Sequence, residues 1–395
     1  MHIDKGEWQA AEDNFRRELA LIETAGDEPN RALLLSTWGN LLVDQLNFET
    51  AKSYFEEALS IRKRLGDDRG RAQVQGNLAK MSQVKGDYSI AEKHYNEILS
   101  IFERLDDLQN CATTLGNLAT ITGAMGDANA ARENLERARH IAVTNHYHPQ
   151  AVRFCLNLAD WHRERGTYEE AEAFLREALK YAETSGTSGL KADVLNQQGV
   201  IDLTINRLDA AREALTEALA INRKIGRRRD QAIVLMNLSL VARAEKSYEE
   251  AEQRLLEALQ LQSDMGLAIQ RAQSHMNLGV LFHDQGRFAE ALAHFEEALA
   301  VYREKGVELW RARALNMIGL ILGRQGRTNE SLNALGEAAS DLDDRGELQS
   351  IAQTLEMLAG IYREDYPEVS LSYQSANLNL QRRLDDPGGH RYDAV

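Results

Sequence analysis

Cysteine and proline are scarce in this chain, and long apolar runs are missing. Among its 395 residues are two cysteines, Cys111 and Cys155, which cannot build a disulfide framework and so favour a reducing compartment. The four prolines are too few for a collagen-like or proline-rich class. No apolar run approaches the ~20 residues that a membrane helix needs, and the first residues hold no apolar export segment. We therefore predict a cytoplasmic location and no membrane partner.

Positive charge is also in deficit. The net charge of -15 at pH 7 opposes bulk attraction to nucleic acid and to anionic lipid, so we predict no nucleic-acid partner. Only 11 of the 46 basic residues are lysine, a bias that favours a GC-rich, bacterial genome. Hydrophobic residues make up 43% of the chain, which is enough to bury a core.

What the chain does contain is one unit repeated at a fixed step of forty residues. A small residue marks each unit, at Ala11, Ala51, Ala91, Ala131, Ala171, Ala211, Ala251, Ala291 and Ser331. Three residues before it stands a column that is mostly aromatic or large and apolar, and two glycine columns keep the same step. Such self-similarity indicates a repeat architecture rather than two or three globular domains.

Each unit has the pattern of two helices. Over residues 72–85 apolar side chains recur every three or four positions, which predicts an amphipathic first helix. Gly86 and Asp87 end this helix and begin the next one, which runs over residues 88–105. Predicted helix starts, where a missing N–H costs little, hold Pro29, Pro149 and Pro367.

A short motif recurs within the unit. The segment Gly86-Asp87-Tyr88-Ser89-Ile90-Ala91, with Leu78-Ala79 before it and Tyr95 after it, is similar to the Leu-Gly, Gly-x-Tyr-x-x-Ala and aromatic positions of the tetratricopeptide repeat family. The same signature recurs at residues 166–171 and 286–291. The period of forty is longer than the family's usual repeat of about 34 residues, and it is similar to the LGN/Pins and kinesin-light-chain branches. The resemblance implies an all-α, right-handed solenoid (a superhelix) of stacked antiparallel helix pairs.

Counting the units predicts a single solenoid over residues 1–386 and a flexible tail at 387–395. Complete pairs start near residues 31, 71, 111, 151, 191, 231, 271, 311 and 351, after an orphan second helix at 6–24. The orphan helix would expose the face that its missing partner covers, including some of Trp8, Phe15 and Leu19. Two interpretations stay open. Either this end contacts an upstream domain of a longer polypeptide or another subunit, or it is a tolerated terminal helix.

Catalytic motifs are missing as well. The chain has no phosphate-cradling glycine loop, no Cys-x-x-Cys and no nucleophile elbow. His146 and His148 could offer two metal ligands, but they occupy a predicted turn with no third ligand nearby in sequence, which favours a surface loop. The basic cluster at residues 223–229 could touch phosphate, although a solvated turn between repeats is the simpler interpretation. We predict no enzyme activity, no cofactor and no metal site.

The position before the core leucine of the first helix is unexpectedly polar. It holds Asn77, Asn117, Asn157, Asn237 and Asn277, with Gln197 between them. First helices line the concave groove of tetratricopeptide solenoids, so the resemblance places these amides on or near that surface. An amide can pair with a peptide N–H and C=O together, so the column predicts a site for an extended peptide. The alternative is that each asparagine bonds to the neighbouring repeat and orders the solenoid.

Arginines of the first helices predict which peptide would bind. Those that we place on the groove side are Arg71, Arg153, Arg243, Arg271, Arg311 and Arg313. Arginine pairs with carboxylates through a bidentate fork. Because the first-helix segments are mildly basic within an acidic chain, the predicted ligand carries Asp or Glu. The alternative pairs these arginines with acids of the preceding turn, such as Asp67 and Asp68.

The sequence therefore predicts a non-enzymatic scaffold for protein–protein interaction that binds an extended, acidic peptide segment in its groove. Two other functions stay open. The chain could be the sensor or regulatory portion of a larger bacterial signalling protein, or it could receive a small signal peptide and change its superhelical pitch on binding.

Overall fold

The structure is a computed structural model that describes residues 5–340 and 345–385, with side chains described for residues 12–340, 348–382 and 384. These described residues form helices joined by turns, with no strand among them, which confirms the all-α prediction. The predicted tail at 387–395 and the Trp8 side chain lie outside the described residues. None of the described helices is both long enough and apolar enough to cross a membrane.

The helices alternate between the first and the second helix of a pair. In chain order they are α1 (Lys5–Ala25), α2 (Glu28–Asp44), α3 (Phe48–Arg64), α4 (Asp68–Lys85), α5 (Tyr88–Arg104), α6 (Leu108–Ala124), α7 (Ala128–Thr144), α8 (His148–Glu164), α9 (Tyr168–Ser185), α10 (Ser188–Thr204), α11 (Leu208–Lys224), α12 (Arg228–Ala244), α13 (Tyr248–Asp264), α14 (Ala268–Asp284), α15 (Phe288–Lys305), α16 (Glu308–Arg324), α17 (Thr328–Ser340), α18 (Arg345–Tyr362) and α19 (Pro367–Asp385). From α2 onward the even-numbered helices are the first helices. Pro29, Pro149 and Pro367 lie in the first turns of α2, α8 and α19, as predicted.

Tight turns separate the helices because the chain reverses through a left-handed residue. Gly86 follows α4 with φ of 80°, a conformation that glycine adopts without a side-chain penalty. The start of α4 is capped by Asp67, whose carboxylate accepts a hydrogen bond from the Gly70 backbone N–H at 2.8 Å. Leu46 and Lys246 adopt the same positive φ in other repeats, so the turn geometry persists where glycine is replaced.

Small and aromatic residues fit together where the two helices of a pair meet. In the pair α14 and α15, Gly279 faces Phe295, and a Cβ built on the glycine would lie 2.6 Å from the ring carbon Cε1. Ala291, the small residue that marks this repeat, is fully buried. The missing side chain of Gly279 therefore lets the Phe295 ring fill the space against the backbone of α14.

The chain divides into two compact units, residues Met1–Gln197 and Gln198–Val395. In the first unit, first helices pack against the second helices of their pairs, and α2 contacts α4 while α6 contacts α8. In the second unit, α12 contacts α14 and α16 contacts α18. First helices of successive repeats therefore lie side by side within each unit, as an α-solenoid of stacked helix pairs requires.

The N-terminal helix α1 packs against the core of α2 and α3. Phe15 stacks on Trp38 of α2 with ring centroids 5.5 Å apart, and Leu19 packs against the same core. Phe15 and Leu19 are therefore partly buried, because α2 presents its Trp38 ring to the helix before it. The third residue that we predicted for the uncovered face, Trp8, lies outside the described side chains, so that prediction stays open. Leu21 is exposed on α1, at 72% of its surface.

Candidate functional site

One face of each first helix is open to solvent. In α6 its side chains are Thr113, Asn117 and Thr120, spaced by four and three residues, whereas Leu115 and Leu118 are buried. This spacing places the three side chains on one face of an α-helix. We call the corresponding positions the first-helix face: residues 33, 37 and 40 of α2, and the residues reached from them in steps of forty in α4 to α18.

The predicted asparagines occupy the centre of the first-helix face. Asn117 and Asn157 are exposed, and Asn77, Asn237 and Asn277 are partly exposed. Each lies in the middle of its helix, so its backbone groups are bonded within the helix and its side-chain amide points away from the helix axis.

Most of these amides have no hydrogen-bond partner among the residues that the structure describes. In the described part of the chain, the side chains of Asn77, Asn117, Asn157 and Asn277 make no hydrogen bond to another protein group. The glutamine of the same column behaves differently, because Gln197 Nε2 donates to the Leu156 carbonyl of the preceding first helix at 2.9 Å. The column therefore holds one amide that links two repeats and four that do not.

Two of the predicted arginines are paired with nearby acids. Arg71 Nη1 donates to Asp68 Oδ1 at the start of the same helix, which is the alternative that the sequence left open. Arg243 Nε lies 3.5 Å from Asp284 Oδ2 of the next first helix. Both pairings reduce the positive charge that a ligand at these positions would meet.

The other predicted arginines have different surroundings. Arg153 is exposed on the first-helix face, next to Asn157, and makes no ion pair with the described residues. Arg313 lies over the Trp310 ring, 4.7 Å from its centroid, and Arg311 is partly exposed near the start of α16. Arg271 lines a small pocket of about 80 Å³ at the turn between α13 and α14.

The outer positions of the first-helix face differ in chemistry between the two units. In the first unit the last position of the face holds Lys80, Thr120 and Asp160. In the second unit the same position holds partly exposed apolar residues in α10 to α16, namely Val200, Leu240, Val280 and Leu320, and the exposed Gly360 in α18. The sequence analysis did not predict this difference, because it compared the repeats at the asparagine position and not at the position three residues later.

A pocket of about 120 Å³ opens between α12 and α14 in the second unit. Its lining includes the predicted residue Asn237, the apolar side chains of Ile233 and Met236, and the amide of Gln262 from α13. Gln262 was not predicted, although a signal exists in the sequence: the residues forty, eighty and one hundred and twenty positions earlier are Asn222, Ala182 and Ala142. A glutamine is therefore larger than its counterparts at a buried position.

The basic cluster at residues 223–229 is mostly neutralised by acids on the next helices. Arg223 pairs with Glu257, Arg227 with Asp230 and Arg228 with Asp264. Arg229 is the exception among these arginines, because it makes no ion pair with a described residue. It is exposed and lines the pocket between α12 and α14.

The two thiols and His148 lie in the packing between helices, whereas His146 is exposed in the turn before α8. Cys111 and Cys155 are buried, and burial raises the pKa of Cys155 to about 12, so this thiol is protonated at neutral pH. His148 stacks on Tyr181 with ring centroids 5.7 Å apart. Among the described residues no three His, Cys, Asp or Glu side chains are grouped so that they could hold a metal ion.

His275 of α14 and His294 of α15 form a close pair in the second unit. Their Nδ1 atoms lie 2.9 Å apart, so the N–H group of one ring donates a hydrogen bond to the nitrogen lone pair of the other. Burial lowers the pKa of both histidines below the usual value. A second proton would place two N–H groups face to face, which also opposes protonation of the pair.

Comparisons with known sequences point to one repeat family. A model with the description tetratricopeptide repeat matches residues 68–142, 153–224, 230–304 and 270–344. A second model with the same description matches residues 117–186. The matches span more than half of the chain. No curated protein matches it.

Solved structures share the fold at low sequence identity. A signal transduction ATPase with numerous domains and a tetratricopeptide repeat sensor, from Pyrococcus horikoshii, superposes with a TM-score of 0.59 at 15% identity, over 91% of this chain and 54% of that chain. The apo form of RapI matches with a TM-score of 0.53 at 15% identity, over 80% of this chain and 98% of that one. Yeast Tom70 matches with a TM-score of 0.50 at 13% identity, over 97% and 96%. The chain spans about half the length of the ATPase, and at these identities the likeness shows the fold alone.

Proposed function

Since the chain belongs to the tetratricopeptide repeat family, whose fold generally mediates protein–protein interaction, we propose that its first-helix face binds an extended, acidic segment of a partner protein. The asparagine column (Asn77, Asn117, Asn157, Asn237 and Asn277) holds the peptide backbone, and the predicted arginines of the first helices select carboxylates. Proteins of this family are generally non-enzymatic scaffolds, and binding is the only activity that we propose.

The observation that carries this proposal is a set of asparagines in a position that does not help the fold. Asparagine in the middle of an exposed helix is less favourable than alanine by about 0.5 kcal/mol. Asn77, Asn117, Asn157 and Asn277 occur there without a hydrogen bond to another described group of the protein. A ligand with peptide N–H and C=O groups would supply the partners that these amides lack.

The spacing of the column suits an extended chain. Neighbouring helix axes lie about 8–10 Å apart, and an extended peptide advances about 3.3 Å per residue. Successive asparagines on α4, α6 and α8 would therefore meet about every third residue of the ligand. Side chains of the ligand between these contacts would face the outer positions of the first-helix face.

Arg153 on this face favours an acidic ligand. Arg153 lies one helical turn before Asn157 on α8 and makes no ion pair with the described residues. A carboxylate two or three residues from the segment held by Asn157 would reach it. Arg71 and Arg243 contribute less to this selection, because Asp68 and Asp284 already neutralise them.

A random-peptide display library panned against the full chain tests this proposal. We expect enrichment of peptides with Asp or Glu, and loss of their binding to the variant Asn77→Ala/Asn117→Ala/Asn157→Ala. A matched control replaces three exposed asparagines of other faces, Asn14→Ala/Asn96→Ala/Asn129→Ala, and should retain binding. Recovery of no peptide, or of peptides that bind both variants equally, would contradict the proposal.

A second candidate function is a sensor portion of a larger signalling protein. It is favoured by one observation, the match of nearly the whole chain to part of an ATPase that carries a tetratricopeptide repeat sensor. Small-angle scattering of the full chain tests it, with and without the selected peptides. A ligand-dependent change in the scattering profile would support a sensor that changes shape, whereas binding with an unchanged profile would favour a passive scaffold.

A further inference from the structure

Gln262 is a buried amide whose hydrogen bonding is incomplete. The side chain is 1% exposed. Its Oε1 atom accepts a hydrogen bond from Ser274 Oγ at 2.8 Å, so its NH₂ group faces the thioether of Met236, with 3.3 Å between Nε2 and Sδ. A thioether is a weak acceptor, and a buried donor without a good acceptor destabilises the fold. Because Gln262 also lines the pocket between α12 and α14, an acceptor oxygen in that pocket would complete its hydrogen bonding.

Arg229 supplies a positive charge to the same pocket. It is exposed and lines the pocket, and it makes no ion pair with any described residue. Its neighbours are different, because Arg227 pairs with Asp230 at 2.6 Å and Arg228 pairs with Asp264. No carboxylate is among the residues that line the pocket. The site is therefore matched to an anion and is unfavourable for a cation.

Several of the other residues that line the pocket are apolar and suit the aliphatic part of a side chain. Ile233, Met236 and Leu267 present apolar surface to the pocket. The volume of about 120 Å³ is comparable to the cavity of about 150 Å³ that holds one benzene molecule, so a single side chain fits. Asn237 lines the pocket and also belongs to the asparagine column, so a side chain here would extend from a peptide on the first-helix face.

We propose that the pocket between α12 and α14 binds a glutamate side chain of the partner. The two methylene groups contact Ile233 and Met236, and the carboxylate accepts hydrogen bonds from Gln262 Nε2 and Arg229. Aspartate has one methylene group fewer to contact the apolar side chains, glutamine lacks the charge, and leucine lacks the acceptor. This assignment rests on the proposed function, because it names one residue of the peptide that the first-helix face binds.

The test uses the full chain with isotope-labelled methionine methyl groups and the capped peptide acetyl-Gly-Gly-Glu-Gly-Gly-amide as the probe. We expect the NMR signal of Met236, assigned with the variant Met236→Leu, to shift and saturate, while the signals of Met81 and Met125 stay in place. Versions of the peptide with Asp, Gln or Leu at the centre should bind at least about tenfold more weakly, the effect of losing one charge-assisted hydrogen bond.

Two variants separate this site from general attraction between charges. Arg229→Gln should weaken binding of the glutamate peptide about tenfold, whereas Arg228→Gln removes the same charge one residue away and should leave it unchanged. No shift at Met236, an equal effect of the two variants, or equal binding of the aspartate peptide would each overturn the assignment. A further outcome separates the two proposals. If the glutamate peptide shifts the Met236 signal, but the variant Asn77→Ala/Asn117→Ala/Asn157→Ala binds the display-selected peptides normally, the pocket assignment is upheld and the proposed role of the asparagine column is contradicted.

Discussion

Replacing the asparagines of the first-helix face by alanine should make the protein more stable. Asn77, Asn117 and Asn157 lie in the middle of α4, α6 and α8, at least partly exposed and without a hydrogen bond to another described group. Alanine removes the cost of holding asparagine in a helix, about 0.5 kcal/mol at each position. The triple variant should therefore unfold with a free energy about 1.5 kcal/mol higher than that of the natural chain.

Urea unfolding followed by far-ultraviolet circular dichroism measures this difference. Asn96→Ala calibrates the intrinsic gain, because Asn96 is exposed in the interior of α5 and also makes no hydrogen bond to another described group. Gln197→Ala gives the opposite case, because it breaks the hydrogen bond to the Leu156 carbonyl. We expect this substitution to lower the free energy of unfolding by about 1 kcal/mol.

The result that would refute the reasoning is a loss of stability. If the asparagines ordered the solenoid, each substitution to alanine would remove a hydrogen bond and cost about 1 kcal/mol. The triple variant would then be about 3 kcal/mol less stable than the natural chain. The two accounts differ in sign as well as size, so one unfolding curve for each variant separates them.

Three further predictions concern packing, reactivity and pH. Gly279→Ala should lower the free energy of unfolding by about 1–3 kcal/mol, because its Cβ would lie 2.6 Å from an aromatic ring. Gly76→Ala, which meets no atom within 4 Å, should raise it by about 1 kcal/mol in the same urea assay. Cys155, with a pKa raised by burial to about 12, should react with a thiol-specific chromogenic reagent only after unfolding; fast reaction of the folded chain would contradict its burial. The pKa of His275 and of His294 lies below the ordinary 6.5. Below pH 6.5 the unfolded chain therefore binds protons that the folded histidine pair does not bind, and the free energy of unfolding falls as the pH is lowered through this range. His275→Gln/His294→Gln should flatten this dependence, and an unchanged slope would contradict it.

The helices could be predicted from the sequence because each one repeats the same local signals. Apolar spacing and a left-handed glycine such as Gly86 recur in most repeats at a step of forty, so a weak signal in one repeat is supported by the others. The capping aspartate Asp67 has counterparts only at Asp27 and Asp107. The polar column could be recognised for the same reason: Asn117 interrupts an apolar pattern at a position that is also polar in the other repeats from Thr37 to Asn277, and that becomes methionine only at Met317 and Met357.

Partners of the side chains could not be predicted in the same way, because they depend on residues in neighbouring helices. The column alone could not distinguish Gln197, which bonds to the preceding repeat, from the asparagines, which do not. The packing of Phe15 could not be predicted either, because counting repeats does not reveal that Trp38 stacks on it. The pocket beside Asn237 depends on Gln262, which lies 25 residues later in sequence.

The central claim, that the asparagine column holds a peptide backbone, is tested most directly by the dissociation constant of a display-selected acidic peptide. Fluorescence anisotropy would compare the natural chain with Asn77→Ala/Asn117→Ala/Asn157→Ala and with the control Asn14→Ala/Asn96→Ala/Asn129→Ala. Three lost hydrogen bonds of about 1 kcal/mol each predict a dissociation constant raised roughly 100-fold in the first variant, and no change in the control. Equal affinity of all three proteins would contradict the claim.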